Sequence, residues 1–186
     1  YTTDVAYSER FFDLDPTDMS DFFKLGWYGY FFDTDDEGNV FIAEASTENY
    51  TITGYSSEGE PFLTISEPFT PVLKTGEEIE EERRFYQARF QSLGMGNMAY
   101  TPDEHHLAIR GVGIDGANRI WALSGVEAVP TFRVYDSSGE FLFTASLPEA
   151  VEEGRFWRFS VERDFILAWS DSPAAGWQQF HVIPLP

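Results

Sequence analysis

Asp36-Glu37-Gly38-Asn39, Val40-Phe41-Ile42-Ala43 and, after a polar stretch, Tyr50-Thr51-Ile52-Thr53-Gly54-Tyr55 form the segment that decides the fold class. A turn made of Asp, Gly and Asn leads into a short β-rich run, a loop, and a strand of alternating residues. Ser56-Ser57-Glu58-Gly59-Glu60 then supplies a second turn, and Phe62-Leu63-Thr64-Ile65 a further strand. Glycine stands where a hairpin asks for positive φ, and β-branched and aromatic residues fill the runs between. The unit predicts antiparallel hairpins.

The same order returns downstream. Asp115-Gly116-Ala117-Asn118 precedes Arg119-Ile120-Trp121-Ala122; after a polar stretch come Thr131-Phe132-Arg133-Val134-Tyr135, Asp136-Ser137-Ser138-Gly139-Glu140 and Phe141-Leu142-Phe143-Thr144. A degenerate third copy runs from Phe165-Ile166-Leu167-Ala168-Trp169, through a loop with Pro173 and Gly176, to Trp177-Gln178-Gln179-Phe180-His181-Val182-Ile183. Several short strands per unit, repeated, predict an all-β fold of propeller-type blades or another stacked β array. A β-sandwich with similar hairpins is the competing architecture.

One helix interrupts the strands. Thr75-Gly76-Glu77-Glu78 has the spacing of a capping box, with Thr75 as N-cap and Glu78 three residues later. Glu77 to Glu82 crowd the helix start and Arg83, Arg84 and Arg89 follow, an order that suits the helix dipole. Ile79, Tyr86, Phe90 and Leu93 share one face, and Gly94 is a stop signal. The pattern predicts an amphipathic helix of about four to five turns, packed on the rim of the blades. The chain then divides into an edge strand and acidic linker (1–20), a blade (21–73), the helical insertion (74–94), a loop from Gly94 to Pro102, a second blade (103–148) and a third (155–186). Strand-like pieces are expected at Asp4 to Tyr7, Arg10 to Leu14 and Trp27 to Phe32, with the linker at Asp13 to Asp18.

Composition narrows the function classes. Among the 186 residues, 12 Lys and Arg face 32 Asp and Glu, a net charge of −20. Such a surface repels phosphate backbones and anionic membranes, so no nucleic-acid partner is expected. The charge serves solubility, or the attraction of cations or a basic protein patch. No apolar run reaches the roughly 18 residues that cross a bilayer. The absence of cysteine excludes thiol nucleophiles, disulfides and thiolate metal sites, and leaves the compartment open. The first residue is Tyr1, with no signal-peptide pattern after it, so a processed or excised piece is expected.

The runs D-x-x-G-N-V-F-I-A, I-T-G-Y-S-S-E-G-E and F-R-V-Y-D-S-S-G-E-F-L resemble the blades of bacterial six-bladed β-propellers related to NHL-repeat proteins. Pro68 to Val72, the Glu-rich helix, and Ala108-Ile109-Arg110-Gly111-Val112-Gly113-Ile114-Asp115 follow in an order similar to the C-terminal half of such proteins. The resemblance covers Trp27 to the end. It implies an extracytoplasmic setting, periplasmic or secreted, and an open half-ring of about three blades where the family has six. Three blades leave two end faces bare, which implies a protein partner: a second copy, or the missing half of a propeller. A non-catalytic binding or scaffold subunit is therefore expected. The alternative is a propeller-type lactonase or hydrolase holding a divalent cation in the central channel.

No residue qualifies as catalytic from sequence: there is no Gly-x-Ser-x-Gly elbow and no Gly-rich phosphate loop. Asp33-Thr34-Asp35-Asp36-Glu37-Gly38-Asn39-Val40-Phe41-Ile42-Ala43-Glu44 has the spacing of a calcium loop, with carboxylates at positions one, three, five and twelve, Gly at six and an apolar residue at eight. Strand-like runs flank it instead of helices, so an acidic hairpin turn is the expected reading and calcium the minor one. His105 and His106 follow Asp103 and Glu104 without a third ligand, and a solvated loop is expected there. His181 falls in a late strand as a structural residue.

Overall fold

Four turns of one kind set the spacing of the strands. Asp35, Ser56, Asp115 and Asp136 each open one. The amide of the first residue donates to the carbonyl of the fifth, and the amide of the fourth donates back to the first (Gly38 to Asp35, 3.1 Å; Asn118 to Asp115, 2.9 Å). A side-chain oxygen of the first residue accepts the amides of the third and fifth in all four. The fourth residue is left-handed: Gly38 (φ 83°), Gly59 (87°), Asn118 (57°) and Gly139 (87°). Glycine adopts that region without steric cost, and Asn is among the few residues that tolerate it.

The computed structural model describes residues 29–96, 99–147, 156–170 and 179–185. Its strands form three antiparallel sheets. The first contains β1 (Tyr30–Thr34), β2 (Val40–Glu44), β3 (Tyr50–Tyr55) and β4 (Pro61–Glu67) in sequence order. The second contains β5 (Ile109–Ile114), β6 (Ile120–Ser124), β7 (Thr131–Tyr135) and β8 (Phe141–Ser146), again in order. The third contains β9 (Trp157–Val161), β10 (Phe165–Ser170) and β11 (Gln179–Pro184). The protein is thus all-β and blade-like, with one helix among the described residues. The expected pieces at Asp4 to Tyr7 and Arg10 to Leu14, the acidic linker, and Pro173, Gly176 and Trp177 lie outside the described residues.

The first two sheets repeat each other at a constant spacing of 80 residues. Thr34 pairs with Val40 and Ile114 with Ile120; Val40 pairs with Tyr55 and Ile120 with Tyr135; Tyr55 pairs with Pro61 and Tyr135 with Phe141. This corrects the match expected from sequence by one position. Aligning Asp36 and Asn39 with Asp115 and Asn118 pairs identical letters, but the backbone aligns Gly38 with Asn118 because both hold the left-handed position. Phe41 and Trp121 are therefore the true counterparts.

Alternation along each strand divides the sheets into two faces. Phe41, Ala43, Ile52 and Ile65 of the first sheet, with Leu63, pack against Ile114, Ile120, Ala122 and Tyr135 of the second. Eighty residues on, Trp121, Leu123, Phe132 and Phe143 pack against Val161 and Ile166 of the third sheet, with Phe159 and Ile183. Every residue of β6 is buried, as expected of the inner layer of three. Gly113 permits the second contact, since a Cβ there would lie 2.5 Å from Val161 Cβ. A polar lock also joins the first two sheets. Arg133 Nη2 donates to Glu67 (2.8 Å), and the Tyr135 hydroxyl lies 2.7 Å from Glu67 Oε1 and 2.9 Å from the Tyr50 hydroxyl. Burial, then the bond to Tyr135, pushes the Tyr50 phenol above its ordinary range, so it is uncharged.

The helix α1 (Gly76–Ser92) stands between the first and second sheets with the expected capping box. The Thr75 hydroxyl accepts from the Glu78 amide (3.3 Å), and the Glu78 carboxylate accepts from the Thr75 amide (2.6 Å). Its base is closed by a short ladder, Lys74 to Glu104 (2.8 Å) and His106 to Val72 (2.9 Å). Phe90 is buried and Tyr86 stacks on Tyr100 with ring centroids 4.3 Å apart. Leu93, expected on the same face, is exposed because the helix has already ended. Phe85, outside the expected stripe, stacks on Phe156 at 4.4 Å. That contact brings the helix towards the start of the third sheet, where it lines the central cleft described below.

Candidate functional site

The open ends of the stack are the first candidate. The face of the first sheet turned away from the second carries Tyr30, Phe32 and Thr34 of β1, which pair with Glu44, Ile42 and Val40 of β2. Phe32 is 68 % exposed. The 80-residue correspondence explains this face: Thr34, Val40, Ile42 and Tyr55 occupy the positions of Ile114, Ile120, Ala122 and Tyr135, which the second sheet buries against the first. At the other end, the outward face of the third sheet carries Leu167 and Trp169, which pair with Val182 and Phe180 of β11. Phe180 is 57 % and Val182 63 % exposed. Ile166 faces the second sheet as Ile120 faces the first, so Leu167 and Trp169 stand where Trp121 and Leu123 stand. Both end faces thus use positions that the middle sheet covers.

The second candidate is a cleft of about 830 Å³ along the first strands of the three sheets, β1, β5 and β9. Phe31, Arg110, Trp157 and Arg158 line it from the strands, and Glu78, Glu82 and Tyr86 from α1. Glu82 accepts from Lys74 Nζ (2.6 Å) and from the Tyr100 hydroxyl (2.5 Å). Arg110 donates to the Ser124 carbonyl (3.0 Å) and lies 5.6 Å from the Phe159 ring centroid. Asp33 is the one carboxylate on these three strands, and its Oδ2 accepts the Ile114 amide across the sheet junction (2.8 Å).

The segment with calcium-loop spacing is a β-hairpin. Asp35 directs one carboxylate oxygen to the Glu37 and Asn39 amides and the other to Asn39 Nδ2 (2.7 Å). Glu44, the would-be twelfth ligand, is at the far end of β2 opposite Tyr30. Pairing therefore draws the loop's first and last carboxylates apart. Among the described residues no group of three or more His, Asp and Glu could hold a metal ion.

The histidines differ from expectation in one respect. His106 is 6 % exposed, with Nε2 3.5 Å from Glu78 Oε2, so it is part of the helix anchor and not a solvated loop. The burial arises because the 105–106 segment bridges back to Leu73, 32 residues earlier in the sequence. His105, opposite Leu73 in that bridge, is half-buried. His181 packs against Trp157 in a tilted contact (4.9 Å, 52°), a structural placement.

Asp115 is the feature sequence reasoning took only as a turn residue. Its side chain is fully buried, and Oδ2 accepts from Arg119 Nε (2.6 Å) and from the Trp121 indole (2.8 Å). Burial pushes the carboxyl up, but the Arg119 amide, the indole, the guanidinium and the Ala117 amide outweigh it and hold the group below the ordinary carboxylate range. An aromatic with an N–H six residues after the turn Asp was the available signal.

A scan against protein-family models finds no match to this chain, and a search of curated proteins finds none either.

Proposed function

We propose that the chain is an open half of a six-bladed β-propeller and acts as a non-catalytic subunit or scaffold whose end faces are covered by protein in a larger assembly. The observation that carries this reading is the pair of end faces that no other described sheet covers, with Phe32, Phe180 and Val182 exposed on positions that the middle sheet buries. Fully burying a Phe or Val side chain is worth about 1.5–3 kcal/mol, so contiguous exposed ones mark interaction surfaces.

The competing reading, a lactonase or hydrolase with a divalent cation in the channel, needs several carboxylate or amide oxygens converging on one point. The inner strands bring Arg110 and Arg158 to the cleft, and their one carboxylate, Asp33, is already hydrogen bonded across the junction. The cleft's Glu78 and Glu82 come from α1, where Glu78 caps the helix and Glu82 holds Lys74 and Tyr100, and this supports binding over cation-assisted hydrolysis.

Carbene footprinting of the protein isolated from its own cells without denaturation tests the reading. Phe32, Phe180 and Val182 are expected to be labelled far less than Leu73, which is exposed on the insertion. Equal labelling of all four would refute it.

A further inference from the structure

We infer that the partner is a second copy of this chain, joined head to tail so that two copies close a ring of six sheets. The inference rests on the reading above and names its partner. The chain makes the same junction twice within itself. Phe41, Ala43, Ile52 and Leu63 meet the second sheet, and Trp121, Leu123, Phe132 and Phe143, each 80 residues later, meet the third. The third sheet's outward face offers Leu167, Trp169, Phe180 and Val182 for another such junction. The first sheet's outward face offers Val40, Ile42 and Tyr55, the counterparts of the receiving residues Ile120, Ala122 and Tyr135. One end of the chain is thus a donor face and the other the matching acceptor face.

Area fits the same occupant. A face of four strands of five residues covers about 17 Å by about 19 Å, roughly 320 Å², and the three described strands of the third sheet cover about 17 Å by about 14 Å, roughly 240 Å². Two-fold closure buries two faces of each kind, roughly 1,100 Å², above the roughly 1,000 Å² that a specific interface needs. A donor–acceptor contact that closes under two-fold symmetry leaves no bare end, whereas one that fails to close would grow into a filament.

Sedimentation velocity of the purified chain provides the test. The wild-type protein is expected at twice its 21.2 kDa chain mass. Phe32→Glu on the acceptor face and Val182→Glu on the donor face should each weaken association at least about 100-fold, because each spoils both junctions of the ring. Mixing the two variants should recover a species of two chains, since the donor face of one and the acceptor face of the other are both intact. That recovery also shows that both variants fold. A wild-type chain that stays monomeric at about 100 µM, well above the Kd of stable dimers, would overturn the self-pairing. So would a Val182→Glu variant that still dimerises alone, which would mean that like faces meet. Neither result touches the footprint on native material, so the broader subunit reading stands or falls separately.

Discussion

Replacing Asp115 by Asn is expected to cost far more than the same change at Asp35, although both residues open the same turn. In both, one carboxylate oxygen accepts two backbone amides, an arrangement an Asn carbonyl oxygen can reproduce. The second oxygen separates the two cases. At Asp35 it accepts one side-chain amide, from Asn39, in a partly buried position. At Asp115 it accepts the Arg119 guanidinium and the Trp121 indole inside a fully buried pocket. An Asn there turns an NH2 towards two donors, leaving a buried indole N–H and a guanidinium without their acceptor. Removing one member of a buried charged pair costs about 3–5 kcal/mol, whereas one hydrogen bond is worth about 0.5–1.5 kcal/mol. Urea denaturation with a constant m-value measures both losses. The pH dependence follows with a definite sign. The folded-state carboxyl is held below its unfolded value of about 3.9, so its contribution is complete above that pH and is lost as pH falls through the folded value. Asp115→Asn should flatten that part of the acid limb. Equal losses for the two variants, within about 1 kcal/mol, would refute the account, as that gap is smaller than the one the two mechanisms imply.

Gly113→Ala should weaken the contact between the second and third sheets by about 1–3 kcal/mol through overpacking against Val161; hydrogen exchange should then quicken in β9 and β10 while β2 and β3 stay protected. Tyr135→Phe should destabilise the protein by about 1–3 kcal/mol in urea melts, because Glu67 and Tyr50 lose a buried partner. Thr75→Ala should cost about 1 kcal/mol by removing the helix cap, with Thr75→Ser restoring it. Each chain carries a net charge of −20, so self-association is expected to tighten as NaCl is raised, read by the same sedimentation assay.

The strand-and-turn grammar was legible because the turn chemistry is local. An Asp or Ser whose side chain holds its own following amides, and a Gly three residues on, define the hairpins at 35–39, 56–60 and 136–140. The helix start at Thr75 was equally local. The strands β5 and β9 were harder to see. Ile109–Ile114 contains two glycines that weaken a strand pattern, and one of them, Gly113, stands where the third sheet approaches too closely for a side chain. Trp157–Val161 has no Gly-rich turn after it, only the short link from Glu162 to Phe165. The burial of His106 depends on a bridge to Leu73 across the whole helical insertion, a contact that no local pattern encodes.

The sequence by itself determined what neighbouring residues decide: antiparallel hairpins, their turn types, the capped helix and the acidic surface. The tertiary structure alone decided which faces are covered. Phe41 and Phe32 look alike in a strand pattern, yet one is buried under the second sheet and the other is 68 % exposed at the end of the stack. It also decided the register of the repeat, through the left-handed backbone shared by Gly38 and Asn118, and it turned Asp115 from a turn residue into a buried acceptor. The physical reason is the same in each instance. Turns and caps are satisfied by groups within a few residues, whereas burial depends on which sheet arrives from 80 residues away.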